Sequence, residues 1–157
     1  MSKKHKFGII GCGSIATHHA DSIAAVEGAE LVAVCDLSED VARNFAEKNG
    51  AAKYYTDYKE LIDDKEVEVI SICTASGLHG EMSIYAAKAG KHILCEKPIA
   101  IKRDELDQID EAVAANNVKM QCVFQNRTKP EYKIVKEAIA EGTLGRLILA
   151  DAYLKFY

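Results

Sequence analysis

Glu96 and Lys97 stand side by side at the end of the apolar run "KHILC", and Pro98 follows them directly. An amine at a strand end can donate to a hydroxyl or carbonyl oxygen of a substrate. Burial and neighbouring positive charge bring a lysine's pKa down towards a useful range, whereas a nearby carboxylate opposes that shift. The alternative is a surface Glu–Lys pair, which contributes little energy. Pro98 speaks against the alternative, because its ring fixes the local backbone and aims the residue before it. A cis Lys97–Pro98 bond is compatible with such a turn. Lys97 is therefore the candidate catalytic residue.

A second constellation lies near the start of the chain. "GIIGCGSIA" carries G-x-G-x-x-A at Gly11, Gly13 and Ala16. The pattern gains weight from its context, since it follows a predicted strand and opens a predicted helix. Gly11 permits the tight turn, and Gly13 lets the backbone approach a pyrophosphate at the positive helix end. Ala16 is small enough for close helix–strand packing. The candidate phosphate-binding residues are Gly11, Cys12, Gly13, Ser14 and Ile15. Asp36 falls 20 residues after Ala16, at the tip of the second apolar run. A carboxylate there accepts both ribose hydroxyls of an adenosine and repels a 2′-phosphate, which favours NAD over NADP. Leu37 stands where an arginine would read that phosphate.

Further polar residues follow later apolar runs. After "VISIC" come Thr74, Ser76 and His79; after "MQCVF" come Gln125, Asn126 and Arg127. Together with Glu96 and Lys97, three successive strands deliver polar clusters to one edge, where open α/β sheets bind their ligands. For His79, local packing at a helix start and direct ligand contact both remain open. His18 and His19 are neighbours and face different sides of a helix. They lack metal-ligand spacing, so solvent or packing roles are expected. No metal site is expected.

The elements that must position these residues alternate. Strands are predicted in "KFGIIG", "AELVAVCD", "AAKYYT", "VEVISICT", "KHILCE", "VKMQCVFQ" and "RLILADAYLKFY". Helices are predicted from about Ser14 to Val26, from a Ser38 cap to Lys48, in "DYKELIDD" capped by Asp57, and in "HGEMSIYAAKAG". Two more are predicted in "KRDELDQIDEAVAANN" and in "PEYKIVKEAIAEGTLG", the latter opened by Pro130. The strands are near-continuous apolar runs, as in parallel strands buried on both faces. Regular βα alternation implies right-handed crossovers and an α/β fold of the Rossmann type, a doubly wound parallel sheet.

Composition narrows the functional classes. The chain has 157 residues, 48% hydrophobic and 28% charged, as in an ordinary folded protein. A net charge of −4 argues against a nucleic-acid partner. No apolar run approaches the roughly 18 residues that cross a membrane. The five cysteines are an odd count without paired spacing, which points to reduced thiols and a cytoplasmic protein.

"GIIGCGSIA", Asp36, "TASGLHGEMSIYAAKAGKHILCEKPIA" and "VFQNRTKPEYKIVKEAIAEGTLGRL" together resemble the Gfo/Idh/MocA oxidoreductases. The resemblance runs from about Lys6 to the end, and "AGKHILCEKPIA" is its most specific piece. It implies a lysine near the nicotinamide and substrate, here Lys97, and a glutamate on the nicotinamide ribose, here Glu96. It also implies that Thr74, Ser76, Leu78 and His79 line the pyrophosphate and ribose, with Gln125 and Arg127 near cofactor or sugar. "SGLH" followed by "FQNR" is similar to the branch that oxidises the 3-hydroxyl of UDP-N-acetylglucosaminuronic acid.

Family members usually carry a second α+β domain that supplies substrate contacts and a catalytic Asp/His pair. No Asp-x-x-x-His follows the Rossmann segment here. The resemblance therefore implies a Rossmann domain over residues 1–128, then a linking helix and the start of a second domain over 129–157. "RLILADAYLKFY" would be the first strand of a missing sheet, with homo-oligomerisation through the missing domain. The expected function is the NAD-binding part of a dehydrogenase that oxidises a secondary alcohol of a sugar, nucleotide sugar or polyol, poorly active without the other domain. The alternative is a non-catalytic dinucleotide sensor, which needs the glycine loop and Asp36 but not Lys97.

Overall fold

The computed structural model describes residues 3–153. It divides into two compact units, Met1–Val123 and Phe124–Tyr157. In the first unit, six strands form one parallel sheet: β1 (His5–Ile10), β2 (Ala29–Cys35), β3 (Lys53–Tyr55), β4 (Val69–Ile72), β5 (His92–Cys95) and β6 (Met120–Cys122). Their order across the sheet is β3-β2-β1-β4-β5-β6. Between them run α1 (Ser14–Ala25), α2 (Glu39–Asn49), α3 (Tyr58–Asp63), α4 (His79–Lys88) and α5 (Arg103–Ala115). The order reverses between β1 and β4, so the loops that leave these two strands diverge and open a crevice at their carboxyl ends.

Alternation along the strands builds a core on each face. Ile9 and Val34 point to one face, where they meet Ala16, Ala20 and Ile23 of α1 and Phe45 and Ala46 of α2. Ile10, Ala33 and Cys35 point to the other, against Leu61 and Ile62 of α3, Met82 and Ala86 of α4 and Ala112 of α5. Each fully buried Ile or Leu side chain stabilises the fold by about 1.5–3 kcal/mol relative to leaving it in water. Two faces covered by helices explain why β2 reads as an unbroken apolar run from Leu31 to Cys35.

Local signals set the helix ends. Gly50 closes α2 with φ +72°, and Asp57 caps α3 by accepting the Lys59 N–H at 2.8 Å. Ser38 occupies the N-cap of α2, but its hydroxyl makes no capping bond. Its N–H instead donates to Asp36 Oδ1 at 3.1 Å.

The second unit begins with a 3-10 turn over Gln125–Thr128 and continues into α6 (Pro130–Ala140), with Pro130 in the first turn. The strand predicted in "RLILADAYLKFY" is not seen over residues 146–153. A strand is held by ladder bonds to a neighbour, and this segment pairs with no strand among the described residues. Leu147, Ile148 and Leu149 are exposed there. The end of the predicted strand lies outside the described residues.

Candidate dinucleotide site at the carboxyl edge

The glycine loop lies between β1 and α1. Gly11 has φ +88°, a conformation that L side chains rarely adopt. A Cβ there would sit 2.9 Å from the backbone carbonyl carbon and oxygen of Cys73, so only glycine lets the loop lie against the end of β4. Gly13 differs, with φ −77° at the N-cap of α1. A Cβ on Gly13 would meet nothing within 4 Å. Glycine has no side chain with which to cap the helix, and the first turn of α1 carries no acidic residue. The positive end of α1 therefore faces space that the described residues leave open beside Gly13, and a phosphate oxygen suits it.

Asp36 leaves the tip of β2 and bends to this loop. Its Oδ2 accepts the Cys12 N–H at 3.0 Å, and its Oδ1 accepts the Ser38 N–H. Each carboxylate oxygen keeps a lone pair for a further donor. Leu37 beside it is 91% exposed.

After β4, Thr74 is half-buried and its Oγ1 lies 3.6 Å from Met82 Sδ. Ser76 and Leu78 form a short 3-10 turn, with Leu78 exposed. His79 is only 1% exposed. Its Nδ1 lies 2.7 Å from the Pro98 carbonyl and its Nε2 3.0 Å from the Thr74 carbonyl. Both ring nitrogens thus face backbone carbonyls inside the protein, and each carbonyl accepts only from a nitrogen that carries a proton. The side chain sits between the loop after β4 and the loop after β5, a setting that suits local packing.

The loop after β5 carries Glu96, Lys97 and Pro98. The Lys97–Pro98 bond is cis. Lys97 is exposed, whereas Glu96 is 6% exposed. Glu96 Oε2 accepts the Lys97 N–H at 3.2 Å, and Oε1 lies 3.1 Å from His19 Nε2. His19 Nδ1 in turn lies 2.6 Å from Ser71 Oγ. Both His19 and Ser71 are buried. Sequence reasoning gave neither residue a place at the site. The available signal was helical spacing: His19 shares the stripe of Ala16, Ala20 and Ile23, all buried against the sheet.

Gln125, Asn126 and Arg127 belong to the second unit, on its 3-10 turn. All three are exposed, and the Arg127 guanidinium lies 5.2 Å from the Phe124 ring centroid.

The thiols near the strand ends are quiet. Burial pushes Cys12, Cys35, Cys73 and Cys95 each up to about 12. They remain neutral at physiological pH and serve as small packing groups. Among the described residues, no group of three or more His, Cys, Asp or Glu side chains is arranged to hold a metal ion. No described helix is long and apolar enough to cross a membrane.

The glycine loop, Asp36 and the open helix start are the parts a dinucleotide requires, and residues 5–124 match the family described as "Oxidoreductase family, NAD-binding Rossmann fold". This chain belongs to the Gfo/Idh/MocA oxidoreductases. It holds the family's NAD-binding Rossmann domain. Myo-inositol 2-dehydrogenase of Thermotoga maritima is 36% identical over 141 residues, which cover 90% of this chain and 42% of that protein. The crystal structure of myo-inositol 2-dehydrogenase from Lactobacillus plantarum superposes with a TM-score of 0.86 at 30% identity, covering 93% of this chain and 44% of that one. The WlbA dehydrogenase from Bordetella pertussis, solved with NADH and UDP-GlcNAcA, gives a TM-score of 0.86 at 31% identity, covering 92% of this chain and 44% of that one. The chain thus spans less than half the length of these Gfo/Idh/MocA relatives.

Proposed function

We propose that this chain is the NAD-binding part of a dehydrogenase that oxidises a secondary alcohol of a sugar, nucleotide sugar or polyol. The observation that carries the reading is the union of Asp36 with the glycine loop. A carboxylate suited to ribose hydroxyls bonds the N–H of Cys12, beside a helix start with no protein cap. The relatives above act on inositol or were solved with a nucleotide sugar, which supports this substrate range.

When bound, NAD accepts the hydride that leaves the carbinol carbon. The protein's own residues bind and orient. Gly11, Cys12, Gly13, Ser14 and Ile15 present main chain to the pyrophosphate, and Asp36 accepts from the adenosine ribose. Thr74, Ser76, Leu78 and His79 shape the wall between pyrophosphate and nicotinamide ribose, His79 through the two carbonyls it clamps. Glu96 serves the nicotinamide ribose, and Lys97 donates to the reacting oxygen. Gln125 and Arg127 serve cofactor or sugar. Asp36 would repel a 2′-phosphate, so NAD is preferred to NADP.

Calorimetric titration of the protein with NAD and with NADP tests the cofactor reading. The expected result is saturable NAD binding, tighter than NADP by about tenfold or more. Absent NAD binding, or a preference for NADP, overturns it. In the full-length gene product, Lys97→Ala is expected to lower kcat for inositol or nucleotide-sugar oxidation by about a hundredfold. Undiminished turnover removes Lys97 from the mechanism, whereas NAD binding without turnover in the unsubstituted protein favours the dinucleotide-sensing alternative.

A further inference from the structure

Glu96 is a carboxylate almost wholly withdrawn from water, and a buried charge needs partners. It has two, from different elements: the Lys97 N–H beside it and the imidazole of His19 on α1. His19 is closed from behind by Ser71 Oγ on β4, a residue with no exposure. A proton on Nε2 satisfies the contact with the carboxylate: Nε2–H donates to Glu96 Oε1, while Nδ1 meets the Ser71 hydroxyl, which can either donate or accept. The order Ser–His–Glu is that of a nucleophilic triad, but Ser71 is sealed within the sheet and no substrate can reach its oxygen.

The helix that carries His19 is the one whose start receives the pyrophosphate, and the residue after Glu96 is Lys97. We infer that His19 is a positioning residue. It bolts Glu96 to α1 and thereby holds the Glu96–Lys97 tip of β5 in fixed relation to the glycine loop. Without its N–H, Glu96 keeps one partner for a buried charge and turns towards water. The Lys97 N–H then loses its acceptor, and the two halves of the dinucleotide site lose their common frame. This inference rests on the reading of the Glu96–Lys97 tip as part of the cofactor site.

The test is a double-mutant cycle read as NAD affinity by calorimetry, at a temperature well below each variant's melting midpoint. His19→Leu is expected to weaken NAD binding about tenfold, and His19→Gln, which reaches both partners, to restore most of it. In a Glu96→Gln background, His19→Leu is expected to add less than about threefold. A packing residue would behave differently. Its loss would lower the melting midpoint while leaving NAD affinity within about twofold, or would weaken binding equally in both backgrounds, and either result overturns the inference. Where His19→Leu does not fold, His19→Asn takes its place in the cycle, being too short to reach Ser71 and Glu96 together. A second readout does not need the cofactor. The Lys97 amide resonance of the unliganded protein should move in His19→Leu and return in His19→Gln, and an unmoved resonance also overturns the inference. Wild-type protein that fails to bind NAD, with the Lys97 resonance responding as expected, sinks the functional proposal and leaves the bolt standing.

Discussion

The two ends of the one parallel sheet are built on opposite rules. At the amino end, charged side chains neutralise one another. Lys3 pairs with Glu68 at 2.5 Å and Lys6 with Glu66 at 2.5 Å. Lys53 reaches Asp64 at 2.7 Å and Glu66 at 3.0 Å. At the carboxyl end, polar side chains bond the main chain in partly buried positions and one another in buried ones, and the start of α1 is left uncapped. Self-satisfied charge stabilises and binds nothing. Unspent helix-end potential binds, and contributes little to the stability of the empty fold. Substitutions at the amino end should therefore move stability alone, and those at the carboxyl end should move affinity, with or without stability.

The largest effect should come where both depend on one atom. Gly11→Ala places a Cβ against the Cys73 backbone in a positive-φ conformation. It should lower the melting midpoint by roughly 10 °C and abolish NAD binding measurable by calorimetry. An unaltered melting curve would show that the loop can move aside. Gly13→Ala isolates the ligand term, since its Cβ would enter open space at an allowed φ. The lost backbone entropy of glycine and the weaker N-cap of alanine roughly cancel, so stability should change by less than about 0.5 kcal/mol. NAD affinity should still fall about tenfold, and unchanged affinity would break the comparison at its sharpest point.

The smallest effect belongs to the amino end. Burial pushes the Asp64 carboxyl up, but bonds from Lys53, the Glu66 N–H and the Tyr55 hydroxyl outweigh it and bring Asp64 down from 3.8 to about 2. A carboxyl held below its ordinary value contributes stability that is complete above that value and is lost as pH falls towards about 2. Urea-unfolding midpoints should drop between pH 5 and pH 2, and Asp64→Asn should flatten that drop at a cost of about 1 kcal/mol near neutrality. NAD affinity at neutral pH should stay the same, and a loss there would join two ends that the structure keeps apart.

Most of the fold was legible because its signals are local. Apolar runs marked the strands, Asp57 and Gly50 marked helix ends, and the glycine loop with Asp36 announced the cofactor edge. What escaped was set by distant partners, Ser38 aside: it holds the N-cap of α2, but its hydroxyl makes no capping bond. His19 looked like a surface or packing histidine, because Ser71 and Glu96 lie far from it in sequence and meet it only when β4 and β5 take their places in the sheet. Residues 146–153 have the apolar pattern of a strand, but pattern supplies no partner, and a strand without a ladder does not form. His79 could not be resolved from composition, because the carbonyls that hold it belong to loops after two different strands.

Five of the bonds that shape the carboxyl edge share one property. Cys12, Ser38 and Lys97 enter through their N–H groups, and Thr74 and Pro98 through their carbonyls. None of these five contacts depends on the identity of the side chain. Inherited changes at the exposed Ser38 and Lys97 can therefore accumulate without altering the contour of the edge, whereas changes at Asp36, His79 or Glu96 cannot. Contour and substrate preference can descend along separate mutational paths, so one frame can pass between lineages while the molecules it serves are exchanged.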